Sequence, residues 1–196
     1  MKKLALFDLD GTITEKDTLV EFIIYTHGKI KYILGLLILS PVLILYKLKV
    51  IPNWRAKEIM LNWYFKRWPQ EKLMEAGKNF SLKKLPELIL DSALQRIKQH
   101  KKENDEVVIV SASCDVWIKD WCASENLQFI STELDFKDGF FTGKFCTLNC
   151  HGQEKVNRIN KKLALKNYEL IYAYGNEKSD LPMLELAHEK FYCHFK

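Results

Sequence analysis

Two carboxylates stand two residues apart at the end of a short apolar run. The run is Leu4-Ala5-Leu6-Phe7, and Asp8-Leu9-Asp10-Gly11-Thr12 follows it. The run reads as a buried strand, and Gly11-Thr12 turns the chain behind it. A carboxylate at a strand tip can attack phosphorus, and an acyl-phosphate divides a hard hydrolysis into two easier displacements. A second carboxylate beside it can protonate the leaving oxygen and later deprotonate water. Mg2+ suits such a pair, because it prefers oxygen and is held by one or two carboxylates together with substrate phosphate.

The elements that must position this pair recur along the chain. Residues 106–110 (EVVIV) form a second strand pattern closed by Ser111-Ala112-Ser113. Residues 127–130 form a third. Residues 170–174 (LIYAY) form a fourth, broken by Gly175 and followed by Asn176 and Asp180, and residues 191–195 suggest a fifth. Helical patterns over 85–102, 115–124, 154–166 and 179–188 separate them. Strands alternating with helices predict an α/β fold, a Rossmann-like parallel sheet. Ligands gather beyond the carboxyl ends of such strands, so Asp8, Asp10, Ser111, Asn176 and Asp180 converge on one crevice. Lys155 opens the helix before the fourth strand and can reach it. Taken singly, Ser111 and Ser113 read as helix caps and Lys155 as a solvated lysine; their convergence with the paired acids is what points to a site.

Two segments interrupt the alternation. Asp138-Gly139 and Thr142-Gly143 predict a small β-hairpin flap over 136–145. Residues 16–84 carry long helical patterns and no strand series. We therefore expect a helical cap over 16–84, inserted into a core made of 1–15 and 85–196. Within it, residues 32–46 (YILGLLILSPVLILY) are almost wholly apolar and are flanked by Lys29, Lys31, Lys47 and Lys49. That run is about 15 residues, short of the ~20 needed to cross a bilayer, and Pro41 interrupts it. It reads either as a buried cap helix pair or as a lid resting on a membrane surface, its lysines meeting anionic headgroups.

Composition bounds these readings. The 196 residues are 47% hydrophobic and 28% charged, a globular balance. The net charge of +5 fits an anionic substrate or membrane surface and is too weak to argue for nucleic acid. Five scattered cysteines, and a chain that enters a strand at Leu4, predict reduced thiols and a cytoplasmic protein. Cys146, Cys150 and His151 lack a matching second pair and read as groups beside a strand.

At this point the sequence resembles the haloacid dehalogenase superfamily. Asp8-Leu9-Asp10-Gly11-Thr12 matches its first motif, DxDGT; Ser111 and Lys155 match the second and third. Gly175-Asn176-Glu177-Lys178-Ser179-Asp180-Leu181-Pro182 is similar to the fourth, GDxxxDxP, with Asn176 in place of its first acid. The position of the cap and the flap sequence resemble the phosphoserine-phosphatase-like branch, and the apolar, Pro-broken cap before Trp54-Arg55 resembles that of phosphatidylglycerophosphatase C. The resemblance implies Asp8 as nucleophile and Asp10 as general acid and base. It implies Mg2+ on Asp8, Asp10 and the fourth motif, Asn176 and Asp180. It implies phosphate held by Ser111, Ala112, Gly11, Thr12 and Lys155.

The expected function is hydrolysis of a phosphate monoester through an aspartyl-phosphate. The substrate is a lipid phosphate, with contact to an inner membrane face through the cap, or a soluble metabolite such as phosphoserine, which Asp17 would meet at its amine. A phosphotransferase and a non-catalytic binding module remain as rival classes. Asp10 weighs against a dehalogenase, since a departing alkoxide needs a proton and a halide does not.

Overall fold

In the computed structural model, which describes residues 2–195, Lys3–Phe7 forms strand β1 at the centre of a five-stranded sheet. Its side chains alternate by face. Leu4 and Leu6 join Val108, Val110, Ile171 and Ala173 in one core, whereas Ala5 and Phe7 join Val107, Ile109 and Tyr174 in another. Both faces are covered, which is why the strands read as continuous apolar runs.

The sheet partners are β2 (Glu106–Cys114), β3 (Gln128–Thr132), β6 (Leu170–Gly175) and β7 (Glu189–Tyr192). Between β3 and β6 lies a separate antiparallel hairpin, β4 (Leu134–Lys137) and β5 (Phe140–Phe145). The sheet order is β3-β2-β1-β6-β7, with every pair parallel. The order reverses between β1 and β6, so the crevice expected of such a fold opens at their carboxyl ends. The hairpin turn is the predicted one: Asp138 and Gly139 both take positive φ, 50° and 78°, as a two-residue type I′ turn demands.

The helices are α1 (Thr18–Ile38), α2 (Ser40–Lys47), α3 (Asn53–Phe65), α4 (Gln70–Asn79), α5 (Leu85–Leu88), α6 (Asp91–Lys102), α7 (Lys119–Ser124), α8 (Gln153–Lys162) and α9 (Leu181–Leu184). Four expectations need correction. The single helix over 85–102 is two, because Ile89 is extended (ψ 130°), bridges Thr14, and leaves the Leu90 amide to bond Ile13 O. The second strand does not stop at Val110 but runs through Cys114, so Ser111 lies inside it. The fifth strand lies over 189–192 rather than 191–195. The helices over 154–166 and 179–188 are shorter, ending at Lys162 and Leu184.

The first four helices fill residues 18–79 and pack onto the same core as Phe7. Phe22 stacks against Phe65 and Trp117 and meets Phe80 edge-on. The flap clasps the cap through backbone bonds, Arg67 N to Phe141 O, Phe141 N to Trp68 O and Gln70 N to Gly139 O. Glu58, buried on α3, accepts from the Phe145 amide at 3.0 Å. These helices are thereby held by aromatic packing against the sheet's core and by backbone bonds to the hairpin.

Candidate active site

Asp8 follows β1 directly, and its amide still donates to Tyr174 O of β6 at 3.0 Å. The neighbouring strand therefore fixes the backbone of the first carboxylate. Behind it the chain turns tightly: the Thr12, Ile13 and Thr14 amides all donate to Leu9 O. Gly11 takes φ +74°, and a Cβ there would fall 2.6 Å from Asn176 Nδ2, so both its backbone and its neighbour require glycine.

The side chains then meet. Lys155 Nζ donates to Asp8 Oδ1 at 2.6 Å and to Asp180 Oδ1 at 2.8 Å. All three residues are buried. Thr12 Oγ1 lies 2.8 Å from Asp8 Oδ2 and 3.0 Å from Asn176 Oδ1, bridging the two. Asp180 Oδ2 accepts from the Asn176 and Glu177 amides, which fixes the loop after β6. Asp10 Oδ1 accepts from the Thr18 amide at 2.7 Å, and its Oδ2 accepts from Ser113 Oγ at 2.5 Å. Ser113 Oγ in turn lies 2.8 Å from Thr18 Oγ1, at the start of α1.

Burial shapes the charges. Desolvation raises the Asp8 carboxyl to about 6, against the opposing pull of the Lys155 ammonium. Desolvation alone would lower Lys155, but Asp8 and Asp180 outweigh it and hold the ammonium above its ordinary value. Two buried carboxylates thus share one buried cation, and the cluster carries an excess of negative charge.

Asp8, Asp10, Lys155, Asp180 and Ala112 line one cavity of about 140 Å³. Thr12 stands one hydrogen bond from Asp8 and Asn176 one contact further, through Thr12, with Gly11 packed against Asn176. Ser111 is fully buried behind the cavity lining, where its hydroxyl accepts from the Ser113 amide at 3.0 Å and donates to Asp10 Oδ2 at 3.5 Å. A larger surface groove of about 910 Å³ is lined by none of these residues and lacks the paired acids.

Sequence reasoning missed several residues that also line the cavity. Lys57 comes from α3, Asn53 from its first turn, Tyr46 from α2, and His151 from the loop before α8. Lys57, rather than Arg55, is the cation the cap supplies; Arg55 pairs with Glu58 at 3.2 Å. Asp17 lines the cavity as well, and its carboxylate caps α1 through the Val20 amide at 3.1 Å.

The donor set suits a hard cation. Among the described residues no three His, Cys, Asp or Glu side chains converge as a closed cage. The buried Asp8 and Asp180 carboxylates, with an excess of negative charge, and the Asn176 side-chain oxygen, linked to Asp8 through Thr12, offer oxygen donors only. That combination matches Mg2+, which keeps several waters and seldom takes an all-protein cage.

The comparisons agree with this geometry. Residues 5–185 match the family of haloacid dehalogenase-like hydrolases. Protein CicA of Caulobacter vibrioides is 28% identical over 195 residues, covering 98% of this chain and 86% of that protein. A histidinol-phosphatase of Neisseria meningitidis serogroup C is 25% identical over 205 residues, covering 96% and 89%. A Bordetella pertussis protein of unknown function superposes with TM-score 0.84 at 22% identity, covering 97% of this chain and 89% of that one. A substrate-bound phosphoserine phosphatase shares the fold at TM-score 0.70 and 20% identity, covering 98% and 86%. The chain belongs to the haloacid dehalogenase-like hydrolases.

Proposed function

We propose that this hydrolase cleaves phosphate monoesters through an aspartyl-phosphate on Asp8, with Mg2+ as cofactor. The observation that carries the reading is the buried Asp8–Lys155–Asp180 cluster at the switch point of the sheet, with Asp10 held beside it. In the first displacement an Asp8 oxygen forms a bond to phosphorus as the ester oxygen leaves, and Asp10 gives that oxygen its proton. In the second, Asp10 takes a proton from water, the water oxygen bonds phosphorus, and Asp8 is released with inorganic phosphate. Lys155 offsets the charge that builds on the phosphoryl oxygens. Asp8 through its carboxylate, Asp10 through its backbone carbonyl, and Asn176 would hold Mg2+, with Asp180 fixing the loop that carries Asn176. Bound there, the metal would act as a Lewis acid on the phosphoryl group. The Ala112 backbone, Gly11 and Thr12 are the remaining phosphate contacts of this reading, and Ser111 supports them by fixing the Ser113 amide.

The division into a core of 1–15 and 85–196 and a cap of 16–84 belongs to the same proposal, the cap choosing the substrate. A cavity of about 140 Å³ suits a compact phosphate-bearing group. The relatives named as histidinol-phosphatase and phosphoserine phosphatase support a small phosphorylated metabolite. A second reading, a lipid phosphate such as phosphatidylglycerophosphate met by a cytoplasmic enzyme at the inner membrane face, is favoured by Tyr46, which joins an apolar helix to the cavity. A screen of phosphate esters, with lipid phosphates presented in detergent and Mg2+ titrated, tests both. Absence of turnover of every ester by the wild type, at any Mg2+ concentration, would overturn the chemistry.

A further inference from the structure

Helix α1 breaks at Gly28 (φ 80°, ψ 159°), and its second half, from Lys29 to Ile38, meets α2 at Leu39 with a bend of 64° between the helices. The apolar residues of this hairpin do not disappear into the cap. Ile30, Ile33, Leu34, Leu37 and Ile38 repeat at helical spacing and are 53–77% exposed. On α2, which buries no residue, Ile44 and Leu45 are also exposed, as is Leu48 just beyond its end. The opposite side of the hairpin is anchored: Gly35 and Leu39 are buried, and Tyr64 Oη of α3 donates to Tyr32 O at 2.8 Å. A folded helix pair thus presents its apolar stripe outward.

What covers such a face is set by its charge. Between Glu21 and Glu58 the sequence has no carboxylate and six cations, Lys29, Lys31, Lys47, Lys49, Arg55 and Lys57. Four of these lysines flank the apolar stripe and are exposed. Two copies docked stripe to stripe would bring like charges together around their rim, which disfavours a symmetric dimer. An anionic bilayer supplies both halves of the complement, acyl chains for the stripe and headgroup charge for the lysines. Among the described residues no single helix is long and apolar enough to cross a membrane; α1 and α2 reach that length and composition only when taken together across their 64° bend. Ten helical residues from Lys29 reach about 15 Å, half of a hydrocarbon core of about 30 Å.

We infer that the α1–α2 hairpin is a docking surface for anionic membrane, lying in the interface with its stripe among the acyl chains. Exposed Trp54, at the start of α3, stands where the interface would favour an amphipathic ring. Tyr46 belongs to both the hairpin and the cavity lining, so docking holds the cavity mouth at the headgroup layer. The docking surface rests on the hairpin alone; its benefit to catalysis rests on the phosphatase reading.

The test uses the full chain with vesicles of phosphatidylcholine alone or mixed with phosphatidylglycerol, and follows co-sedimentation beside hydrolysis of para-nitrophenyl phosphate. Wild type binds the anionic vesicles at least about tenfold more tightly than the neutral ones. Ile33→Glu with Leu37→Glu loses at least about tenfold of that binding, and hydrolysis of the soluble ester is unchanged. Lys47→Glu with Lys49→Glu, which leaves the stripe intact, loses the preference for anionic lipid. Absence of vesicle binding by wild type, or equal binding by the stripe variant, overturns the inference. A concentration-dependent dimer that the stripe variant abolishes, without vesicle binding, assigns the face to a second copy and also overturns it. Vesicle binding without hydrolysis of any ester supports the docking surface and sinks the phosphatase reading alone.

Discussion

Lys155 Nζ lies 2.6 Å from Asp8 Oδ1, with both side chains buried. The same ammonium meets Asp180 at 2.8 Å, so removal of each partner has a different cost. Asp8→Asn leaves Lys155 paired with Asp180, and the fold loses little. Lys155→Met leaves two buried carboxylates without their cation, a defect of about 3–5 kcal/mol. Both substitutions are expected to abolish hydrolysis, Asp8→Asn by at least about a thousandfold. Thermal unfolding beside a para-nitrophenyl phosphate assay checks this. A melting temperature that falls as far in Asp8→Asn as in Lys155→Met contradicts the shared-cation arrangement.

Asn176 stands where the metal reading needs an oxygen, and Thr12 Oγ1 ties its Oδ1 to Asp8. An amide oxygen supplies a ligand without charge. Asn176→Asp adds the missing negative charge, and the Mg2+ concentration giving half-maximal activity is expected to fall by at least about threefold. Titrating Mg2+ against hydrolysis in both proteins decides it. An unchanged titration removes residue 176 from the ligand set.

Away from the cavity, His100 is buried between Asp105 (2.7 Å from Nδ1) and Tyr174 Oη (2.9 Å from Nε2). Arg96 Nε donates to the same Tyr174 oxygen at 2.7 Å. Desolvation lowers His100 below its ordinary 6.5, helped by the Arg96 charge and opposed by Asp105. The unfolded chain then takes up the proton more readily than the folded one. The contribution of His100 is complete above about pH 6.5 and is lost as pH falls through that value toward the depressed folded pKa. The loss has a limiting slope of about 1.4 kcal/mol per pH unit. His100→Gln should flatten the dependence of the melting temperature on pH between about 7 and 5. Parallel curves for the two proteins would show that His100 does not carry the effect.

The parts legible in the sequence are those where local chemistry and tertiary demand coincide. β1 ends in paired acids because a buried parallel strand must deliver its polar residues beyond its tip. Asp138-Gly139 turns the flap because few residues accept positive φ twice in succession. The break at Ile89 was hidden, because Leu88, Ile89 and Leu90 continue a helical apolar pattern. Only Thr14 and Ile13, far earlier in the chain, draw that segment into extended bridges. Ser111 looked like a strand end because Ser favours caps, yet β2 continues through it to Cys114. The residues 32–46 could be read as core or as lid, since periodicity gives a helix its faces and not their neighbours. The exposure of Ile30, Ile33 and Leu37 settles which side is turned outward.

Lys57 is the cation that α3 carries into the cavity, its Nζ 3.4 Å from Ala112 O. On sequence it was one more lysine of an amphipathic helix, indistinguishable from Lys66. It lines the same cavity as Asp8 and Lys155 without a hydrogen bond to either, so it can meet a second anionic group of the substrate. Lys57→Met should therefore raise KM for an ester carrying a second anionic group by about tenfold, equivalent to about 1.4 kcal/mol for the loss of this half-buried charge. The kcat for para-nitrophenyl phosphate, which lacks that group, should hold within about twofold. Steady-state kinetics on the two ester classes separate these constants. A uniform fall in kcat on both, with KM unchanged, would assign Lys57 to cap structure and leave substrate selection to Asn53, Tyr46 and His151.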